Sequence, residues 1–506
     1  MKLSKIFLIC AMLSLTGVFF AQSADDFGFG GGNSDFEFSG DDSGFGGFDS
    51  SSGSSASSLS VSGKVEAAGR AYVAEEGHRD SPGDWKMDIF PKALLDLNYS
   101  AASSDLNLKV KLDKTSLLKY QWDILDEFTA RAYMGALRLE AGKMRVVWGK
   151  GDKVHVLDNF NANDYMDFLV PDYIDRRISE LMFRAEYTTP NGIRFEGIWT
   201  PVMTADRLAD SGVWQPKKSK QLTNIAKTAV ANNIGTTSSG SSIVQYASFN
   251  SSNLLPDTYQ LKYGQAGLRS TFTIGSVDLG LSYYYGHYKQ PSADMSKYIA
   301  AGGSQVSTNN AFPSLDYDAV NIFGIEGAAV LFRMFNTRWE LAYNMTNDFA
   351  GDDPWVHNNS ISWVFGFDFD IPLNNLNLNI QTTGTCILNY NKIKDADYGL
   401  TGTKAALSPY YKAADVDYDS EDKFTNNKII IAITDSYLNE KIKTELKGIW
   451  GIERGDIIIM PDVQLKVKDE FVLDMNGMFI WCNNSNSEFD GWQNNSFIQI
   501  GAKYSF

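Results

Sequence analysis

The chain has 506 residues and a formal net charge of −16 at pH 7, with 45 Lys and Arg against 61 Asp and Glu. This acidic balance argues against nucleic acid as a partner. Aromatic residues make up 13% of the chain and Gly occurs 43 times, and the length is ample for one large domain.

The N-terminus has the order of a secretory signal peptide. Lys2 and Lys5 precede an apolar run over residues 6–20, and small residues follow at Ala21, Ser23 and Ala24. The alternative is an anchoring helix, but a run of about 15 residues is shorter than the roughly 20 that a spanning helix needs. We therefore expect residues 1–23 to be a signal peptide and the protein to be exported.

Residues 24–59 are mostly Gly, Ser, Asp and Phe. Such a composition cannot bury an apolar core, which predicts a disordered periplasmic tail. The alternative is that its Phe residues enter a barrel mouth or bind a periplasmic partner.

From residue 60 onward, apolar and polar residues alternate with a period of two. Ile361, Trp363 and Phe365 share one face of an extended strand, and Leu378 and Ile380 alternate with polar residues. No later apolar run is long enough for a spanning helix, and a membrane-inserted sheet must close so that no backbone group stays unpaired. We therefore predict an all-β fold: a transmembrane antiparallel up-and-down barrel over residues 60–506, with about 18 strands (16 to 18 as the range).

The connections are predicted to alternate between short and long. Tight turns are expected at 101–104, 134–136, 188–192, 273–276, 334–337, 370–374, 435–441 and 468–470. The largest joins are expected at 149–178, 204–257, 290–315 and 391–424. Short periplasmic turns and long outer loops are typical of outer-membrane barrels.

Cys386 and Cys482 fall on strands that are not neighbours, so no disulfide is expected.

The last residues end the chain on an aromatic strand that resembles the C-terminal signal of bacterial outer-membrane barrels. The pattern is polar-x-Gly-x-x-aromatic-x-Phe, carried by Gln499, Gly501, Tyr504 and Phe506. The resemblance implies that barrel-assembly machinery reads this segment in the outer membrane of a diderm bacterium, where outer-membrane lipid surrounds the barrel.

Charged residues on the inward faces are predicted to line the lumen. They are Asp96, Lys109, Lys111, Arg131, Arg138, Glu140, Arg184, Glu186, Arg194 and Glu196. A hairpin symmetric about Pro190 would place Glu186 opposite Arg194, and Arg184 opposite Glu196. Two readings stay open: structural ladders across strands, or a transverse field that selects solutes by charge.

The join at 150–178 is predicted to fold inward as a constriction. Its residues are Asp152, Asp158, Asn161, Asp164, Asp167, Asp172, Asp175, Arg176 and Arg177. An inward loop would place these carboxylates across from basic wall residues. The alternative is a solvated outer loop. The spacing of the acids does not match a calcium-binding loop, and no metal or cofactor is expected.

The segment 141–201 resembles a family of large bacterial outer-membrane barrels of unknown function, in which a strand ending in Trp-Gly leads into an Asn-x-x-Asp loop. The matching positions are Gly142, Arg145, Trp148, Gly149, Asn161, Asp164, Phe195, Glu196 and Gly197. The resemblance implies that the barrel conducts compounds across the membrane, poorly water-soluble ones among them.

Catalysis is not expected. The four histidines lie outside any recognisable nucleophile or metal motif, although His155 could act as a base with Asp152 or Asp158.

The sequence thus predicts an outer-membrane channel that passes small solutes by diffusion, constricted by the loop at 150–178. Two alternatives stay open. One is a substrate-specific transporter of hydrophobic compounds with a closed lumen. The other is a surface-exposed adhesin or scaffold barrel, for which the long, locally basic loop at 205–257 would bind a partner.

Overall fold

The computed structural model describes residues 57–73, 86–216, 255–300, 314–483 and 485–506. The predicted signal peptide, nearly all of the predicted tail and most of the 205–257 loop lie outside these residues.

Eighteen antiparallel strands form one closed sheet, which confirms the predicted fold class and strand count. Each strand pairs with the next one along the sheet, and the last pairs with the first. The strands are β1 Ser58–Tyr72, β2 Met87–Ala101, β3 Ser104–Asp113, β4 Leu125–Met134, β5 Leu137–Met144, β6 Glu180–Thr188, β7 Arg194–Thr200, β8 Gln265–Ile274, β9 Val277–His287, β10 Ala319–Leu331, β11 Phe335–Met345, β12 Ser360–Asp370, β13 Asn377–Ile387, β14 Thr425–Tyr437, β15 Ile442–Gly451, β16 Ile457–Lys468, β17 Phe471–Trp481 and β18 Phe497–Ser505.

Short turns alternate with longer connections around the barrel, as the sequence predicts. The clearest displacement is between β10 and β11, where the turn lies at 332–334 rather than 334–337. The four largest connections run over 145–179, 201–264, 288–318 and 388–424. Both chain ends of the barrel lie on the side of the short turns, because an even number of strands returns the chain to where it started.

Side chains alternate between an outward apolar face and an inward face. Leu268 and Ile500 point outward and keep 65% and 63% of their surface exposed, as expected where lipid replaces water. The inward face is less uniformly polar than predicted, because Ile430, Ile449 and Ile458 also point inward and are buried. These residues pack against connections that fold into the barrel.

The connections carry small elements of their own. The α-helices are α1 Lys114–Leu118, α2 Tyr173–Arg176, α3 Ser296–Ala300, α4 Tyr390–Asp395 and α5 Ser408–Ala414. The strand Asp164–Tyr165 pairs with Arg207–Leu208, and Ser292–Asp294 pairs with Ser314–Asp316. No helix in the described ranges combines the length and apolar character that crossing a membrane requires.

The seam between β1 and β18 closes the barrel. The backbone of Phe506 exchanges two hydrogen bonds of 2.9 Å with Gly63. A Cβ on Gly63 would lie 2.6 Å from the Phe506 ring, so this position has room for Gly alone beside the terminal aromatic. Cys386 lies on β13 and Cys482 directly follows β17, and these strands are not neighbours in the sheet, as the expectation of no disulfide between them requires.

Candidate functional site

The connection between β5 and β6, residues 145–179, lies inside the barrel; we call it the inward loop. It starts five residues before and ends one residue after the predicted 150–178. Its side chains and backbone contact β11, β13, β15, β1 and β2 in turn. The inward loop therefore reaches wall strands around most of the barrel circumference.

Asn161 ties the two ends of the inward loop together. Its amide nitrogen donates to the carbonyl oxygens of Met144 (3.0 Å) and Ile178 (2.9 Å). Its amide oxygen accepts from the Val146 N–H at 2.9 Å. Asn161 is buried, and three satisfied hydrogen bonds make it a structural clamp at the root of the loop.

Two further residues of the family resemblance fix the start of the inward loop. The Arg145 guanidinium binds Asp126 (2.5 Å) and Glu127 (2.6 Å), which lie at the start of β4. Trp148 is buried, with its ring edge-to-face against Phe160 at a centroid distance of 5.0 Å. These contacts direct the chain away from β5 and into the lumen.

Glu340 on β11 anchors the inward loop to the far wall. Its carboxylate accepts from the backbone N–H groups of Gly151 (2.6 Å) and Val156 (2.7 Å) and lies 2.8 Å from His155 Nδ1. A buried carboxylate that meets several donors is fully satisfied. His155 was considered as a base paired with Asp152 or Asp158, but its Nδ1 atom contacts the Glu340 carboxylate instead.

Gly149 permits this close approach. Its φ is +111°, a conformation that favours glycine, and an added Cβ would lie 2.1 Å from Glu340 Oε1. Trp148 and Gly149 lie beyond the end of β5 at Met144, not at a strand end as the sequence predicted, and Gly149 allows the wall carboxylate to reach the loop backbone.

Arg70 on β1 holds the inward loop from the other side. Its guanidinium makes two hydrogen bonds to the Asp167 carboxylate, at 2.6 and 2.8 Å. The rings of Phe90 and Phe497 cover it at 4.3 and 4.4 Å. This bidentate, sheltered pair is the kind of ion pair whose disruption is costly.

Two other acids of the inward loop face basic wall residues. Asp175 lies 3.1 Å from Lys92 on β2, and Asp172 lies 3.7 Å from Lys447 on β15. The side chain of Asp175 keeps 49% of its surface exposed although the barrel surrounds it. The space beside this carboxylate is therefore open within the lumen.

Asp152 and Asp158 are engaged within the barrel as well. Asp152 accepts from Asn379 on β13 at 2.6 Å and lies 3.4 Å from Arg338 on β11. Asp158 pairs with Arg177 at 2.9 Å, inside the loop itself. The carboxylates across from basic wall residues are thus Asp152, Asp167, Asp172 and Asp175.

Asp164 and Arg176 also stabilise the loop internally. Asp164 accepts from the Met166 N–H at 2.9 Å and lies 3.7 Å from Arg207, which belongs to the next long connection. Arg176 is buried, with its guanidinium 5.7 Å from the Tyr165 ring centre.

Apolar packing fixes the inward loop on two sides. One cluster joins its first part to β5–β11, and the other joins its later part to β14–β18 and to the segments 208–214 and 489–492. Phe168 stacks on Trp214 at 5.0 Å and contacts Trp492 at 4.5 Å. With buried side chains on both sides, this layer of the lumen is substantially filled.

The predicted wall charges on β4 to β7 form a network along the wall. Glu140 binds Arg131 (2.8 Å), Arg138 (3.3 Å) and Arg184 (3.2 Å). Arg184 also binds Glu196 at 2.6 Å. Arg138 lies on the same strand as Glu140, and the other ion pairs run between neighbouring strands. The basic partners of the inward loop come from other strands.

The predicted pairing of the hairpin around Pro190 is wrong by two residues. Glu186 lies opposite Glu196, and the turn is centred one residue later than Pro190. Opposite charges still meet on the diagonal, with Arg184 and Glu196 2.6 Å apart and Arg194 and Glu186 3.9 Å apart.

On the neighbouring strands, Asp96 lies directly opposite Lys109. The lysines pair with acids of the next strand: Lys109 binds Glu127 at 3.1 Å, and Lys111 lies 3.8 Å from Asp126. Lys111 also lies 3.9 Å from Asp113 on its own strand.

The residues of the predicted assembly signal complete the sheet. Gln499 and Gly501 point inward, whereas Tyr504 and Phe506 point outward with about half of their surface exposed. All four lie on β18 or just after it, at the seam with β1.

Several wall residues of the site were not predicted. Arg70, Lys92 and Glu340 bind the inward loop, and Arg269 extends the wall network by bridging Glu196 (3.6 Å) and Glu326 (2.5 Å). Each lies on the inward face of its strand, so the period of two could have identified them as lumen residues.

Acidic residues are also buried between the long connections on the side of the barrel opposite the chain ends. His357 lies 2.5 Å from Asp318, and Tyr398 donates to Asp415 at 2.9 Å. Burial raises the pKa of Asp417 to about 6, and nearby acids add to this effect. Burial alone would lower the pKa of His357, but the hydrogen bond and the charge of Asp318 raise it.

Within the part of the chain that the structure describes, no group of three or more His, Cys, Asp and Glu side chains is arranged to hold a metal ion. His78 lies outside the described residues.

No protein-family model matches the chain, and the search of curated proteins returned no match. Solved structures do resemble it. The Escherichia coli protein Wzi, described as an outer-membrane, carbohydrate-binding β-barrel involved in group 1 capsule assembly, is 12% identical; the match covers 87% of this chain and 84% of that one, with a TM-score of 0.41.

A mutant of the Rh. blastica porin is 8% identical, over 89% of this chain and 100% of that one, with a TM-score of 0.36. Salmonella typhi OmpF in complex with daunomycin is 8% identical, over 88% and 97%, with a TM-score of 0.36. The chain is similar to these proteins in being a barrel of antiparallel strands.

Proposed function

We propose that this protein is an outer-membrane barrel that passes small polar solutes through a lumen constricted by the inward loop. The observation that carries the proposal is the path of this loop, which leaves β5, binds Glu340 on β11 and Arg70 on β1, and returns to β6. A connection that is bound to several strands of the barrel wall leaves only narrow routes through the lumen.

The proposed location follows from the outward apolar face and from the C-terminal strand. In this proposal the chain is exported by its N-terminal signal, is inserted by barrel-assembly machinery and is surrounded by outer-membrane lipid. The proposal involves no catalytic step and no cofactor.

The proposed solutes are polar because the route beside the inward loop is lined with charge. Asp175 and Lys92 form an ion pair beside open space in the lumen. The network around Glu140 extends this lining along the wall. A hydrophobic compound, as the family resemblance implies, would have to displace water from these charges without replacing their interactions.

The experiment that tests the proposal is swelling of proteoliposomes in a graded series of neutral solutes, from glycerol to trisaccharides. The expected result is entry of the smallest solutes and exclusion of the larger ones. A variant in which residues 150–178 are replaced by a short Gly-Ser linker should admit larger solutes. If folded protein admits none of the series, the proposal is wrong and a closed lumen replaces it.

A further inference from the structure

A cavity of about 100 Å³ lies between the inward loop, the wall strands β10 to β14 and the long connections at 346–359 and 388–424. On the same measure, one water molecule needs roughly 10–15 Å³. The cavity therefore has room for a molecule much larger than water.

The wall side of this cavity is built from neutral hydrogen-bonding groups. Asn344 on β11 donates to the hydroxyls of Ser360 (3.1 Å) and Ser362 (3.2 Å) on β12. Ser362 in turn lies 3.0 Å from the Thr385 hydroxyl on β13. A hydroxyl offers one donor and two acceptor positions, so such a chain can extend its hydrogen bonds to a bound molecule.

The ionisable groups that reach the cavity are engaged with each other or with nearby charges. Three such pairs are His155 with Glu340 (2.8 Å), Arg177 with Asp158 (2.9 Å) and His357 with Asp318 (2.5 Å). A charged ligand would lose its hydration and would have to compete with these existing pairs. A neutral ligand avoids both costs.

Aromatic side chains also line the cavity. Tyr173 from the inward loop and Tyr288 from the connection after β9 both border the cavity, as does Phe424 just before β14. Apolar ring faces beside amide and hydroxyl groups match a ligand whose C–H face is apolar and whose edges carry hydroxyls.

We propose that this cavity binds a small neutral polyhydroxylated molecule, a monosaccharide or a smaller polyol. The inference rests on the proposed transport function and narrows the class of solute. In this proposal the cavity is a binding site that the solute occupies as it passes the inward loop.

The test is isothermal titration calorimetry of the full-length protein, refolded in detergent, with glucose, N-acetylglucosamine, sorbitol and glycerol as probes and inorganic phosphate as the charged comparison. The critical variant is Asn344→Leu, which removes the wall amide at similar side-chain volume. The matched control is Asn336→Leu, because Asn336 lies on the same strand and face but near the opposite end, far from the cavity. Circular dichroism and heat-dependent gel mobility establish that each variant is folded.

We expect saturable binding of at least one of the four neutral probes and none of phosphate. Asn344→Leu should weaken it about 2- to 10-fold, as the loss of one or two neutral hydrogen bonds does, whereas Asn336→Leu should leave it unchanged. The inference is overturned if none of the neutral probes binds, if phosphate binds instead, or if both variants bind like the wild type.

Proteoliposome swelling separates this inference from the proposed function. Solute entry without saturable binding would overturn the proposed binding site but would still support the proposed constricted channel. Saturable binding that Asn344→Leu weakens, without solute entry, supports the site and overturns transport.

Discussion

At the scale of single residues, buried charged side chains of the barrel wall are bound by groups that are distant in sequence. Glu340 receives N–H groups from the inward loop, and Arg70 receives the Asp167 carboxylate. A buried charged or polar group without its partner destabilises the structure around it. Substitution of Glu340 or Arg70 should therefore release the inward loop rather than unfold the sheet.

Replacing Glu340 by Ala should loosen the inward loop. The substitution leaves the N–H groups of Gly151, Val156 and Leu157 without their acceptor, and each buried unsatisfied donor costs about 1–3 kcal/mol. We expect faster hydrogen exchange at these amides, measured by mass spectrometry on folded barrel. Glu340→Gln keeps one acceptor oxygen and should show a smaller increase. Unchanged exchange in Glu340→Ala would contradict the anchoring role.

Gly149→Ala should have a similar local effect for a steric reason. An alanine at a φ of +111°, with its Cβ 2.1 Å from a carboxylate oxygen, costs roughly 2 kcal/mol or more. The measurement is protease cleavage within the inward loop, which should become faster. Gly69→Ala is the control, since no heavy atom lies within 4 Å of the added Cβ; equal cleavage of the two variants would refute the explanation.

At the scale of elements, strands were predictable and register was less so. The period of two located the strands because each one separates an apolar from a largely polar environment. The hairpin at Pro190 shows the limit: the turn contains a Thr189 N–H bond to the Ile193 carbonyl and Gly192 at a φ of +81°. These features move the turn centre by one residue, and the facing pairs consequently change by two.

The connections 346–359 and 388–424 should be held more firmly at low pH. Burial raises the pKa of Asp417 to about 6, so the folded state holds this proton between pH 4 and 6, where an unfolded Asp has lost it. The contribution of Asp417 to stability therefore falls as pH rises through this window and is constant above it. The raised pKa of His357 acts in the same direction as pH rises further.

Limited proteolysis of these connections, compared at pH 5 and pH 8 with an acid-tolerant protease and corrected for its own pH profile, measures this effect. We expect greater protection at pH 5 and a weaker pH dependence in Asp417→Asn. The control is Asp469→Asn, an exposed residue in a short turn on the opposite side of the barrel. Greater protection at pH 8 would contradict the sign of the effect.

At the scale of the whole molecule, the closed barrel was predictable from sequence, but the path of the inward loop was only partly so. Its acidic residues indicated basic partners, yet Arg70 and Lys92 lie 97 and 83 positions away from Asp167 and Asp175, and Glu340 is 189 positions from Gly151. No local pattern specifies such pairs, because they depend on how the loop crosses the closed sheet.

The most direct test of a lumen constricted by the inward loop is single-channel conductance in a planar bilayer. Refolded wild-type protein is compared with the linker variant lacking residues 150–178 and with Glu340→Ala, which keeps the full chain. We predict small, stable ohmic steps for the wild type and larger steps for both variants. Steps of equal size in all three proteins, or no steps from folded and inserted wild-type protein, would contradict this account.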